Sequence, residues 1–284
     1  MSFDQKIRKF SFSILGLAFI SGFLFMVINR EKPEEVKIVA REEINITIIP
    51  GWNLKQVADS WVKVGLVSST KDIFDLLGSP IYVGGEVGKK IKFKNDELEL
   101  LDSRLNNVSY EGFLMPDTYR VYKDADLKEE VLSKIFDNLE NKITLEMREE
   151  INSQDRDFYE ILTMASIVER EAQSLEDMKR VADIFWRRLD MNWALQSCAT
   201  VNYITGKNDP GVTNDDREID SLYNTYKYPG LPPGPIGNPG INAIKATIYP
   251  TVNKNWYFMS GTDGEMHYGR TLDEHNVNVY KYLR

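Results

Sequence analysis

"FYEILTMASIVEREA", residues 158–172, is the stretch on which the fold turns. Apolar residues at 158, 161, 165, 168 and 172 recur at three- and four-residue steps, which predicts a helix buried along one face. At 100° per residue, Glu169 and Glu171 fall about 80° to either side of the buried direction, and Arg170 points away from it, toward solvent. A glutamate at a helix edge is most often solvated or salt-bridged, and periodicity does not choose between the two. Two features favour Glu171 as a titrating group. It lies in the last turn, where the negative helix end disfavours ionisation. Its neighbours three, four and seven residues back are Val168, Ile167 and Met164, an apolar patch that raises a carboxyl pKa by desolvation.

Working outward, Ser174 to Asp177 forms a capping-box-like start for a helix over 175–190, with Met178, Val181, Phe185 and Leu189 as its buried stripe. Helices are also predicted at about 127–141 and 143–152. On the N-terminal side, alternating Ile44, Ile46 and Ile48 predict a strand ending at Pro50-Gly51. Asn53 then caps a helix with Leu54, Val57, Ala58 and Trp61 on one stripe and Gly65 as its stop. A second short helix follows over 70–78, with Thr70 as its cap. The stretch 81–108 is weakly patterned. The segment "YPGLPPGPIGNPG" (228–240) carries five prolines and four glycines, a composition common in linkers. Framed by "YNTY" and by Asn238-Pro239, a cap and first-position pair for a helix over 239–249, it reads instead as a stiff, ordered wall. "NWYFMSG" and "MHYGR" predict a hairpin, and Thr271 to Glu274 caps a last helix.

The formal net charge of −8 argues against a nucleic-acid partner. One cysteine, Cys198, excludes an intrachain disulfide, and with two histidines no metal set is expected; no cofactor motif is present either. Lys6, Arg8 and Lys9 precede an uncharged run from Phe10 to Ile28. Nineteen helical residues span roughly 28 Å, enough to cross a bilayer. The run is long for a signal-peptide core and lacks a small-residue cleavage site after it, so residues 10–29 are expected to be a single transmembrane helix. Its flanking charges place residues 1–9 in the cytoplasm and the rest of the chain outside the inner membrane. Residues 30–43 form a charged spacer.

The groups available for acid–base work are thus carboxylates, tyrosines and two histidines. Glu111 and Asp117 flank "GFLMP", where ligand binding competes with turn chemistry. Gln196 is suited to an amide ligand or to a strand end. Tyr223, Asn224 and Tyr226 offer the stacking and hydrogen bonds that sugar rings use, though aromatic residues more often fill cores. Asn238 is a helix cap or a ligand contact.

"EGFLMPDTY", "MASIVEREA", "FWRRL", "LQSCATVNY", "YNTYKYPGLPPGPIGNPG", "IKATIYP" and "TLDEHN" occur in that order. The series resembles the YceG-like family of membrane-anchored endolytic murein transglycosylases, over roughly 110–284. Residues 44–80 resemble the LysM-like subdomain that precedes the catalytic domain there. The resemblance implies an α+β ectodomain: a LysM-like subdomain and connector at 44–108, and a mainly helical catalytic domain with a β-hairpin at 109–284. It implies a lyase that cleaves the β-1,4 bond between N-acetylmuramic acid and N-acetylglucosamine in nascent peptidoglycan, leaving 1,6-anhydro ends, with one glutamate as acid and then base. The family's catalytic glutamate is the second of its E-x-E helix end, here Glu171, with Glu169 as the alternative. Peptidoglycan strands, the membrane and peptidoglycan synthases are the implied partners.

The chain departs from the family in two places. Related sequences commonly have Asp-Pro where this one has Cys198-Ala199, so no role for that acidic position carries over. The region before "MHYGRTLDEHN" is compressed, leaving His267 without an assigned role. Two rival readings stay open: a non-catalytic peptidoglycan-binding scaffold, and a hydrolase yielding reducing ends.

Overall fold

The computed structural model describes residues 40–85, 88–89, 98–106, 108–207 and 211–283. The expected membrane span, cytoplasmic tail and most of the spacer lie outside these residues. Among the described residues no helix is long and apolar enough to cross a membrane.

The fold is mixed α+β and mainly helical, with two two-stranded antiparallel sheets. Strand β1 (Glu43–Ile48) pairs with β2 (Asp117–Tyr122), setting Ile44 opposite Val121 and Ile46 opposite Tyr119. The alternation read from the sequence is the pleat: Ile46 and Ile48 are buried, while the residues between them face water. Helices α1 (Leu54–Lys63) and α2 (Thr70–Leu77) lie between the two strands in the chain. Asn53 Oδ1 accepts from the Gln56 N–H at 3.1 Å and caps α1, whose buried stripe is the predicted one. The first cap of α2 is Ser69, not Thr70: the Asp72 carboxylate accepts from its N–H at 2.9 Å. β2 comes from beyond the subdomain boundary expected at 108/109, in a stretch read from sequence as turn chemistry.

A wide-wound turn, Leu127–Leu132, leads into α3 (Ser133–Lys142), followed by α4 (Leu145–Ser153). Helix α5 (Phe158–Glu171) is central. The single buried face expected for it is too narrow. Every residue from Ile161 to Val168 is buried, because α5 packs against α4, α6 (Leu175–Asp190), α7 (Cys198–Thr205) and α9 (Ile241–Ile248), with the short α8 (Asn214–Arg217) beside α7. Its buried Thr and Ser hydroxyls donate inside the helix, Thr163 to the Tyr159 carbonyl and Ser166 to the Thr163 carbonyl. The chain closes with the hairpin β3 (Tyr257–Ser260) and β4 (Met266–Gly269), then α10 (Leu272–Tyr282).

The proline-rich segment is an ordered wall along α5. Three bonds fasten it in register: the Tyr159 hydroxyl donates to the Pro233 carbonyl at 3.1 Å, the Ile236 N–H to Ser166 Oγ at 3.0 Å, and the Gly240 N–H to Glu169 Oε2 at 2.9 Å. Its glycines allow close approach. A Cβ on Gly237 would lie 2.8 Å from the Gly51 carbonyl oxygen, and one on Gly112, whose φ is +90°, would lie 2.6 Å from the Pro235 ring.

Candidate active site

The last turn of α5 emerges from the core, and it delivers its two glutamates to different neighbours. Glu169 holds the N–H of Gly240, the N-cap of α9, so its carboxylate sits at a helix start where negative charge is favoured. Glu171 turns the other way. Its Oε1 accepts a short hydrogen bond from the Ser197 hydroxyl at the start of α7. Burial pushes both carboxyls above the ordinary value; for Glu171 the Ser197 hydroxyl, the charges of Arg170 and Arg188 and the Ala199 N–H pull back. The raised pKa therefore does not separate the two glutamates, whereas their partners do. Glu169 is committed to the wall; Glu171 is half-buried and held by the buried Ser197 hydroxyl and the Ala199 N–H at the start of α7.

The loop that presents Ser197 is tightly built. Gln196 adopts a left-handed backbone, φ +55°, which costs energy for a residue with a side chain. In that conformation the Gln196 N–H reaches the Thr225 carbonyl at 3.0 Å and the Ser197 N–H reaches Thr225 Oγ1 at 3.1 Å. The Gln196 side chain is left exposed beside Ser197. Tyr226, next in line, sets its hydroxyl 3.0 Å from Cys198 Sγ, close enough to Glu171 to feel its charge. Asn224, wholly buried, organises this loop by donating to the Arg217 and Ile219 carbonyls and accepting from the Tyr226 N–H. Arg188 is buried behind the loop, donating to the Leu195 and Trp256 carbonyls at 2.6 Å each.

Of the residues singled out in the sequence, Tyr226 thus lies near Glu171, Gln196 precedes the Ser197 that bonds Glu171, and Asn224 positions Tyr226. Tyr223 packs against Tyr203, ring centroids 5.1 Å apart. Glu111 is only 2% exposed and has two protein partners: the Leu54 N–H at 2.9 Å and the Tyr203 hydroxyl at 3.2 Å. Asp117 is exposed and paired with Lys142 at 2.8 Å. Asn238 is not a helix cap. Gly240 caps α9, which begins two residues later than expected, and the Asn238 amide cross-links buried backbone. Arg170 does not point into open solvent; it is half-buried against a pocket. His267 bonds to Asp263 at 2.9 Å and stacks on Tyr282 at the hairpin. Sequence reading passed over Ser197, Thr225 and Arg188. Arg188 carried a signal, because it lies seven residues after Val181, on the apolar stripe of α6 where a cation is out of place.

A sequence model of the YceG-like family matches residues 28–281. The chain belongs to the YceG-like family. Its fold is similar to the crystal structure of a YceG-like protein from Listeria monocytogenes, with a TM-score of 0.68 and 29% identity, covering 82% of this chain and 75% of that one. Among curated YceG-like relatives, an endolytic murein transglycosylase of Bacillus subtilis is 37% identical over 173 residues, 61% of this chain and 48% of that protein. One from Streptococcus pneumoniae is 34% identical over 194 residues, 66% of this chain and 35% of that protein. The chain thus spans half or less of the length of these relatives.

Glu111 makes one prediction that is independent of activity. Burial pushes its carboxyl up to about 8 from an ordinary 4.5, against the pull of its two hydrogen-bond donors. Between those values the unfolded chain has lost the proton and the folded chain retains it. Stability therefore falls as pH rises through that window. Glu111→Gln, which never ionises, should flatten the decline in melting temperature from about pH 5 to about pH 8. An unchanged slope would show that Glu111 is ionised in the folded protein.

Proposed function

We propose that this chain is a membrane-anchored endolytic lytic transglycosylase of peptidoglycan, with Glu171 as its single acid and base. The observation that carries the reading is the placement of a half-buried Glu171, its pKa raised by burial, held by the Ser197 hydroxyl and close to Tyr226, in a member of the YceG-like family. Protonated Glu171 donates to the oxygen linking muramoyl C1 to N-acetylglucosamine C4, and the C1–O bond breaks. The resulting carboxylate takes the proton of the muramoyl 6-hydroxyl as that oxygen closes onto C1. No water is consumed, and the glutamate ends protonated, ready for another turn. The Ser197 hydroxyl and the nearby guanidinium groups stabilise the carboxylate between the two steps.

The lobe built from β1, α1, α2 and β2 supports the LysM-like reading of the N-terminal part, where it would hold the glycan beside the catalytic body at 109–284. Residues 10–29 would anchor both to the outer face of the inner membrane, within reach of a peptidoglycan synthase. Uncrosslinked glycan strands incubated with the protein should yield muramoyl ends lighter by one water than hydrolytic products in mass spectrometry. Reducing ends would make it a hydrolase, and strands bound but unchanged in mass would make it a scaffold.

Ser197 tunes the acid. Its hydroxyl stabilises ionised Glu171, so Ser197→Ala should raise the Glu171 pKa further. Because the first step needs the protonated form, activity disappears as pH rises through that pKa. The alkaline limb of kcat/KM should therefore move to higher pH, and a limb that stays in place would remove Ser197 from this role.

A further inference from the structure

Beside the last turn of α5 lies a pocket of about 390 Å³, including its open mouth. Asn53 and Gln56 of α1, Tyr82, Arg170, Tyr203 and Lys207 line it, so it joins the lobe to the end of the helix that carries Glu171. Its walls are held in place. The Tyr82 hydroxyl lies 3.3 Å from Asn53 Oδ1, and the Tyr82 and Tyr203 rings meet edge to face at 6.2 Å. Lys207 is fixed by both carboxylate oxygens of Asp216, at 2.8 and 2.9 Å. Among the described residues no acidic residue lines the pocket, while Arg170 and Lys207 do, the latter's charge met by Asp216, in a chain with a net charge of −8. Arg170 is half-buried, and burial works against its charge. Glu111, behind Tyr203, retains its proton up to about pH 8 and adds little negative charge there at neutrality. Such a pocket selects an anion, and a guanidinium flanked by amide and phenol groups suits a carboxylate.

We propose that this pocket binds a carboxylate of the peptide carried on the lactyl group of a muramoyl residue. The inference rests on the murein reading above. The N-acetylated sugars themselves are neutral, so the appended peptide is where a glycan strand carries carboxylates. Arg170 and Glu171 are consecutive, so a peptide docked at Arg170 hangs from a muramoyl residue at or beside the bond being broken. The pocket would then set where along the strand the acid acts.

Binding separates this idea from catalysis. Titration of the full chain with a soluble N-acetylmuramoyl-tripeptide, followed by calorimetry, should show binding that the same compound with its carboxylates amidated does not. Arg170→Gln should weaken it by about tenfold or more, and Arg170→Lys, which keeps the charge, should recover part of the loss. With glycan strands as substrate, the kcat/KM preference for strands with free peptide carboxylates over strands with those carboxylates amidated should fall in Arg170→Gln. Equal binding of the free and amidated compounds, absence of binding, or full affinity in Arg170→Gln would each overturn the proposal. So would inorganic phosphate competing better than acetate. If peptide binding follows this pattern while no anhydro ends form, the activity fails and the pocket stands.

Discussion

Glu171→Gln should leave a folded protein that forms anhydro-muramoyl ends about 10³-fold more slowly or not at all. The glutamine keeps the side chain's length and can still accept from the Ser197 hydroxyl, so the loop at 196–197 has no reason to move. What it loses is the proton, which the reaction uses twice, first given to the leaving oxygen and then recovered from the 6-hydroxyl. The informative control is Glu169→Gln. Its amide oxygen can still accept from Gly240 N–H, so α9 remains capped and activity should stay within a few-fold of wild type. Activity retained in the first variant and lost in the second would transfer the acid to Glu169.

Asn238→Ala should be the most damaging single truncation of a polar side chain for stability. The Asn238 amide is fully buried; Oδ1 accepts from the Leu114 N–H at 3.0 Å and Nδ2 donates to the Trp52 carbonyl at 2.8 Å. Its own backbone bonds to Gly51 and Trp52 at 2.8 and 2.7 Å. Three segments far apart in the chain therefore meet on one residue. Alanine would strand the Leu114 N–H in a dry interior and leave a void, at a cost of about 2–4 kcal/mol. In thermal melts this is a fall of roughly 5–15 °C. A melting temperature within a degree of wild type would mean that water or a backbone shift replaces the amide.

Local chemistry made most of the elements legible. The isoleucine alternation of β1, the Asn53 cap and the turn-setting Gly65 each act within a few residues, and each appears where expected. What depends on distant partners was not legible. β2 reads as a turn because its pleat is defined only by β1, more than sixty residues earlier. Helix α5 reads as amphipathic because nothing nearby reveals that its polar positions, Thr163 and Ser166, bond within the helix. Asn238 has the form of a cap and is a buried cross-link for the same reason. The two glutamates were equivalent on a helical wheel and become distinct only when Gly240 and Ser197 arrive from later in the chain.

The pairing of β1 with β2 has a consequence for modularity. A module that can be exchanged as a cassette contains all the strands of its own sheet. Here the first strand of the lobe finds its partner at 117–122, beyond the "GFLMP" stretch whose Phe113, Leu114 and Met115 are set in the main core. A cut at 108/109 would bare the edge of both strands and uncover Tyr119 and Val121. Lobe and body must therefore be inherited, transplanted or deleted together, and the natural joint for grafting another module lies upstream of Glu43.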